Sequence, residues 1–284
     1  MSRELTITVG ESDDGRTAQD MLRSRGFSRR MLTKLKQTGG LTRGGEILRS
    51  IDRVRAGDVV CVVMSDSADI PPDPDIPAPV AYEDEDIVVF DKPPFLPVHQ
   101  SIGHYSGTLA NLFAALYPEL PFRPINRLDK NTSGLCVCAK NRFAAASVSG
   151  NISKVYFAAV DGDIARGGVI DLPIDRESGS IIRRCVSPTG KRAVTHYEPV
   201  LRENGRTLLR IILETGRTHQ IRVHFSHIGF PLCGDDMYGG DCSRINRQAL
   251  HCGEVSFDLP FTGERITAVS ELPDDIRALF NGKG

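Results

Sequence analysis

No apolar run in this sequence approaches the roughly 20 residues that a membrane-spanning helix needs. The opening residues, Met1 to Glu11, are polar and acidic and lack the apolar core of a signal peptide. A cytoplasmic protein is therefore expected. Cys-x-x-Cys is absent, and the seven cysteines are scattered at 61, 136, 138, 185, 233, 242 and 252. An odd, dispersed set without an export signal reads as buried reduced thiols, with Cys136 and Cys138 pointing apart along a strand and no metal site expected. Nucleotide and hydrolase signatures are missing too. Gly190-Lys191 is followed by Arg192, and position 185 is Cys where a phosphate-cradling loop needs Gly. There is no dinucleotide glycine fingerprint and no Gly-x-Ser-x-Gly elbow.

What is present is a globular composition, 284 residues with 40% apolar and 25% charged, enough for one large or two unequal domains. The formal net charge of -1 conceals a segregation. Residues 16–63 hold 11 Lys and Arg against 4 Asp and Glu, a net charge of +7. Residues 64–89 hold 8 acids and no Lys or Arg, a net charge of -8. A compact basic module points to a polyanionic partner, nucleic acid first. Helical spacing predicts one helix over 17–25, capped by Thr17 and Gly26, and a second opened by Ser28 and ended by Gly39-Gly40. Short strands around Leu41–Arg43 and Glu46–Leu48 and a buried strand over Val59–Met64 follow. Two basic helices and a small β element, with Arg55-Ala56-Gly57-Asp58-Val59-Val60 at the exit, resemble the S4-like RNA-binding module. On that reading residues 1–64 form the module, and Arg29, Arg30, Lys34 and Lys36 are its candidate RNA-binding side chains. Residues 65–79, rich in Pro and Asp, read as a stiff linker outside any core.

Residues 80–284 form the second unit. Strands are predicted at Ile87–Phe90, Leu135–Ala139, Val155–Val160, Val194–Val200, Leu208–Leu213, Val255–Leu259 and Arg265–Val269. Helices are predicted at Leu109–Leu116 and over about 218–228. Strands outnumber helices and do not alternate with them, which argues α+β with a mixed, mainly antiparallel central sheet.

The densest chemistry lies in Asn126-Arg127-Leu128-Asp129-Lys130-Asn131-Thr132-Ser133-Gly134. Asp129 sits among cations that favour its ionised form, on a loop before an apolar strand. By itself it is either a reagent or half of an ion pair. An aspartyl-phosphate enzyme would want a second acid at position 131, where Asn stands. A second concentration is Lys154-Val155-Tyr156, and a third is Thr215-Gly216-Arg217-Thr218-His219-Gln220-Ile221-Arg222-Val223-His224. Gly216-Arg217 at a helix entry offers a guanidinium beside backbone N–H groups, a corner that suits an anion. His219, His224 and His227 spread to about 0°, 140° and 80° around a helix, a poor set for zinc. Structural hydrogen bonds or RNA contacts are expected of them.

Taken together and in this order, these stretches resemble the RluA-type pseudouridine synthases. Arg127-Leu128-Asp129-x-x-Thr132-Ser133-Gly134 is similar to the catalytic motif, Lys154-x-Tyr156 to the second, and Thr215 to His224 with Gly234-Asp235-x-x-Tyr238-Gly239 to the third. Asp91-Lys92-Pro93-Pro94 and Leu96-Pro97-Val98-His99 resemble the family's first strand, and an S4-like module is a frequent companion. The resemblance implies isomerisation of uridine in ribosomal RNA, or transfer RNA, to pseudouridine, without metal, nucleotide or redox cofactor. It implies RNA as the partner, no membrane and no obligate protein partner. By resemblance Asp129 is the essential carboxylate, which attacks C1′ or takes a proton from C2′. Tyr156 lies under the uracil and assists at C5, Arg217 holds Asp129 ionised and oriented, and Arg127 enters the RNA in place of the extruded base. A non-catalytic RNA-binding or ribosome-assembly protein on the same scaffold is the competing reading. Two positions depart from the pattern: Asn126 where His is usual, and Phe95 where Gly is common.

Overall fold

The computed structural model describes residues 2–65, 70–100 and 106–281. Within the elements, the side chains of residues 30 and 34 also lie outside the described set, and with them the expectations for Arg30 and Lys34. The chain divides into two compact units, Met1–Asp69 and Ile70–Gly284.

In the first unit β1 (Ser2–Thr8) runs antiparallel along the whole of β4 (Val59–Ser65). β2 (Leu41–Arg43) pairs with β4 on its other edge, and β3 (Glu46–Ile47) closes the sheet. Two helices cover it, α1 (Ala18–Ser24) and α2 (Arg29–Thr38). The capping residues read from sequence act as such. Thr17 Oγ1 accepts the Asp20 N–H at 3.2 Å and Ser28 Oγ the Met31 N–H at 3.3 Å. Gly39 ends α2 in the left-handed region at φ 63°. β1 was not legible, because its polar residues give a one-sided edge strand. β4 likewise is one-sided, not fully buried: Val60 and Val62 face the core while Val59 and Val63 are exposed. Part of the unit's positive charge is spent internally. Buried Asp13 pairs with Arg25 at 2.6 Å and Arg16 at 2.8 Å, and Asp58 pairs with Arg43. Arg29 and Lys36 are exposed on α2.

The second unit is built on a nine-stranded sheet. Its strands are β5 (Val80–Glu83), β6 (Ile87–Lys92), β7 (Ser133–Ala139), β8 (Ser153–Asp161) and β9 (Gly168–Asp171). After the separate hairpin of β10 (Ile174–Arg176) and β11 (Arg184–Val186) come β12 (Val194–Glu203), β13 (Arg206–Leu213), β14 (Leu250–Asp258) and β15 (Arg265–Val269). The order is β5-β6-β7-β14-β8-β13-β12-β9, with β15 added to β14. Among the described residues only β7 and β14 pair in parallel; the fold is α+β around a mainly antiparallel sheet. The helices are α3 (Leu109–Leu116), α4 (Arg142–Asn151), α5 (Gln220–His227) and α6 (Asp274–Arg277). α4 went unread because its sequence carries little amphipathic contrast, although Asn141 caps it through the Ala144 N–H.

Two expectations need correction. Residues 70–79 are not a linker clear of the core: Ile76 and Ala78 belong to the main apolar cluster. Asn111 pins the segment at both ends of its peptide group and side chain, donating to Pro71 O at 2.7 Å and accepting the Asp73 N–H at 3.0 Å. Prolines keep the strap out of the ladder, yet leave its two apolar side chains able to dock. Cys136 and Cys138 do not point apart. Two positions apart on β7, they share a face, and burial followed by their mutual contact pushes the Cys138 thiol well up. All seven cysteines are free thiols, four of them buried.

Candidate active site

The loop that carries Asp129 is fastened to β7 before it reaches the carboxylate. The Ile125 N–H donates to Val137 O at 2.7 Å. Asn126 is buried, and its amide uses both ends: Nδ2 donates to Leu135 O at 3.0 Å and Oδ1 accepts the Val137 N–H at 2.8 Å. That double bond to one strand accounts for an amide at this position. Beyond Asp129 the Thr132 N–H donates back to Asp129 O at 3.1 Å and closes a turn.

The carboxylate is 29% exposed and opens into a pocket. Arg127, Asp129, Tyr156, Arg217, His219 and Arg222 all line it, together with Leu128, Leu213 and Leu250. Tyr156 enters from β8, where it pairs with Ile211 on one side and Cys252 on the other. Burial, with Cys252 and Asp129 adding to it, holds its phenol well above the ordinary range, so the hydroxyl is a protonated donor. Arg127 is exposed at the mouth.

The cation bound to Asp129 is Arg222, not Arg217. Arg222 Nη1 donates to Asp129 Oδ2 at 3.1 Å. Its other nitrogens grip Asp235 in a two-point pair, Nε to Oδ2 at 2.7 Å and Nη2 to Oδ1 at 2.8 Å. Asp235 is fully buried and the Arg222 guanidinium lies 4.9 Å from the centre of the Tyr238 ring. Burial alone would lower Arg222; Asp235 and then Asp129 outweigh it and hold the guanidinium above its ordinary range. Arg217 instead is exposed, and its Nε donates to Arg192 O at 2.9 Å. The reason is where the helix begins. α5 starts at Gln220, so Arg217 stays in the preceding loop and Arg222 falls in the buried first turn. Gln220 Oε1 accepts the Arg217 N–H, which occupies one of the N–H groups expected to hold an anion.

His219 opens α5 in the left-handed region, φ 58°. Its Nε2 is 3.7 Å from Asp129 Oδ2 and its Nδ1 is 2.9 Å from Tyr238 Oη. Burial first, and Arg222 after it, lowers the imidazole below its ordinary range against the opposite pull of Asp129. The Arg184 N–H donates to the same Tyr238 hydroxyl at 2.9 Å, which tethers β11 to the pocket wall. His224 is structural: its two ring nitrogens meet Thr195 Oγ1 and Leu172 O, each at 2.9 Å.

Arg222, Asp235, His219 and Tyr238 were thus assigned no place around Asp129 by sequence reasoning. A signal existed. Gln220 to Phe225 are all buried, and an arginine between Ile221 and Val223 in such a helix must find an acid inside the protein. Arg29 and Lys36 belong to the first unit and are not among the residues that line this pocket.

Residues 86–227 match the model of the RNA pseudouridylate synthase family. The uncharacterized RNA pseudouridine synthase YjbO of Bacillus subtilis is 39% identical over 272 residues, covering 91% of this chain and 96% of that protein. The ribosomal large subunit pseudouridine synthase D of Pseudomonas aeruginosa is 39% identical over 278 residues, covering 89% of this chain and 87% of its own length. Among solved structures, the human RNA pseudouridylate synthase domain containing 4 superposes with a TM-score of 0.54 at 26% identity, over 70% of this chain and 90% of that one.

Proposed function

The chain belongs to the RNA pseudouridylate synthase family, and from that membership we propose that Asp129 is the carboxylate with which it turns uridine in ribosomal RNA into pseudouridine. The observation that carries the reading is the Asp129–Arg222 pair, placed at the opening of a pocket that Tyr156 also lines. Arg222 bonds and aims the carboxylate, while Asp235 keeps Arg222 in place. A carboxylate held this way can attack C1′ or remove a proton from C2′. Either route breaks the N1–C1′ bond, lets the uracil turn, joins C5 to C1′, and moves a proton from C5 to N1. The Tyr156 ring supports the base, and its protonated hydroxyl is suited to hydrogen-bond the uracil as it turns. Arg127, exposed at the pocket mouth, is placed to fill the gap left by an extruded nucleotide.

Large-subunit ribosomal RNA is the favoured substrate, because several of the relatives are named for acting on it. Ribosomal RNA would place the enzyme in the cytoplasm. Arg29, Arg30, Lys34 and Lys36 of the first unit would supply backbone-directed attraction for the RNA. The test is to incubate the protein with ribosomal and transfer RNA transcripts and map pseudouridine. Wild type forms it in ribosomal RNA; Asp129→Asn binds the same RNA and forms none. RNA binding without pseudouridine in any transcript would make the protein a binding module.

A further inference from the structure

His219 does little for the helix it opens. It stands at the N-cap of α5 in the left-handed region, where an L side chain is strained, and its ring makes no capping bond to the helix. The imidazole is turned into the Asp129 pocket, which it lines, and its side chain is only 9% exposed. Backbone strain at a pocket wall, without a gain for the helix, points to a ring kept for what enters the pocket.

The proton on that ring is fixed by its neighbours. Tyr238 is buried, and burial holds its phenol above the ordinary range, so the hydroxyl carries its hydrogen. Its oxygen accepts the Arg184 N–H at 2.9 Å, and His219 Nδ1 lies 2.9 Å from it. The buried hydroxyl hydrogen needs an acceptor of its own, and Nδ1 is one when the other ring nitrogen is protonated. The chain therefore runs from Arg184 N–H to Tyr238 Oη and from Tyr238 O–H to His219 Nδ1, which leaves an N–H at Nε2. Burial lowers the imidazole against the pull of Asp129, and a neutral ring keeps this tautomer. Nε2 is 3.7 Å from Asp129 Oδ2, longer than a hydrogen bond.

We propose that His219 Nε2–H binds the ribose 2′-oxygen of the target uridine, presented to it by the Arg184–Tyr238–His219 chain. The proposal rests on the reading of Asp129 as the group that meets C1′ or C2′. The 2′-oxygen is bonded to C2′ and adjacent to C1′, so a ribose seated on Asp129 brings it to the donor standing beside the carboxylate. The uracil turns during the reaction and the ribose stays, and a rigidly held donor suits the part that stays. Other donors of the pocket wall are engaged, Arg222 with Asp235 and Asp129, and Arg217 with Arg192 O. A contact to the 2′-hydroxyl tells RNA from DNA at the reacting nucleotide itself.

The experiment uses an RNA that wild type modifies, with either uridine or 2′-deoxyuridine at the mapped target position. Each is given to wild type and to His219→Phe, which keeps a flat ring without its nitrogens. With uridine, His219→Phe should lower kcat/KM about tenfold, the worth of one neutral hydrogen bond. With 2′-deoxyuridine, wild type should fall by a similar factor and the variant no further. A loss in the variant that is equal on both RNAs, or no loss, overturns the proposal, because a purely structural role is blind to the 2′-substituent. If the deoxy RNA is bound but not converted, the dissociation constants of the same pairs carry the comparison. Should His219→Phe fail to fold, Tyr238→Phe decides: it releases Nδ1 and should cost activity only where the 2′-hydroxyl is present. Equal loss on both RNAs, or none, sinks the idea there too. Asp129→Asn runs in parallel: if it converts uridine like wild type, it is the reading of Asp129 that fails.

Discussion

Two arginines five positions apart, Arg217 and Arg222, show what a single residue's surroundings decide. Arg222 satisfies two carboxylates from a buried helix turn; Arg217 bonds one carbonyl at the surface. Arg222→Gln should cost about 3–5 kcal/mol, because it strands Asp235 as an unpaired buried charge. Arg217→Gln should stay within about 0.5 kcal/mol. Thermal or urea unfolding of the two variants checks this, and equal losses would return Arg217 to the role first expected of it. Phe95 is a second case. It takes φ 65° with its ring half exposed, which is the physical reason a glycine is common at that place. Phe95→Gly should raise stability by about 1 kcal/mol, the left-handed penalty that an L side chain bears there. A lower unfolding midpoint in the variant would mean the ring makes contacts worth more than that penalty.

At the scale of elements, the candidate active site is built on the parallel pairing of β7 with β14. β7 and β14 meet only at Ser133–His251 and Gly134–Cys252, directly after the Asp129 loop. Gly134 is at φ 106°, and a Cβ there would overlap the Cys252 carbonyl. The small residue in Thr132-Ser133-Gly134 is thus what lets two strands close beneath the loop. Gly134→Ala should destabilise by at least about 2 kcal/mol and reduce the yield of folded protein. A variant that melts like wild type would show that β7 and β14 can separate without loss. α5 makes the same point: Gln220 fixes its start by bonding Val194 O, Thr195 Oγ1 and the Arg217 N–H, and that start selects which arginine reaches Asp129.

For the molecule as a whole, the two units have separate apolar cores. Ile7, Met21, Leu22 and Val60 belong to one, and Phe90, Leu135, Tyr156 and Val255 to the other. Removing residues 1–69 should therefore leave the second unit folded, with the Asp129 pocket intact. RNA affinity should fall, and its dependence on salt should become shallower, since the net charge of +7 over residues 16–63 goes with the deletion. Binding measured across a salt series with and without the first unit checks this. Identical slopes would remove that unit from RNA binding. Internal pairs such as Arg25–Asp13 and Arg43–Asp58 reduce the number of its cations available to phosphate, so the change in slope should be smaller than the arginine and lysine count implies.

Sequence alone determined whatever depends on neighbours along the chain. Thr17, Ser28 and Gly39 cap helices through bonds or dihedrals spanning a few residues, and apolar runs such as Leu135–Ala139 declare their strands. The loop motif likewise marked Asp129 and Tyr156 for one pocket, through a resemblance carried by ordered stretches. Other features depend on pairing across the sheet, and no local pattern encodes them. Asp129 and Arg222 are 93 positions apart and meet although β14 and β8 lie between β7 and β13, the strand that leads to α5. The docking of Ile76 and Ala78, the pairing of His219 with Tyr238 and the fit of Gly134 against Cys252 belong to the same kind. Each was decided by tertiary packing, where a buried charge or a missing Cβ finds its reason only in what the fold brings against it.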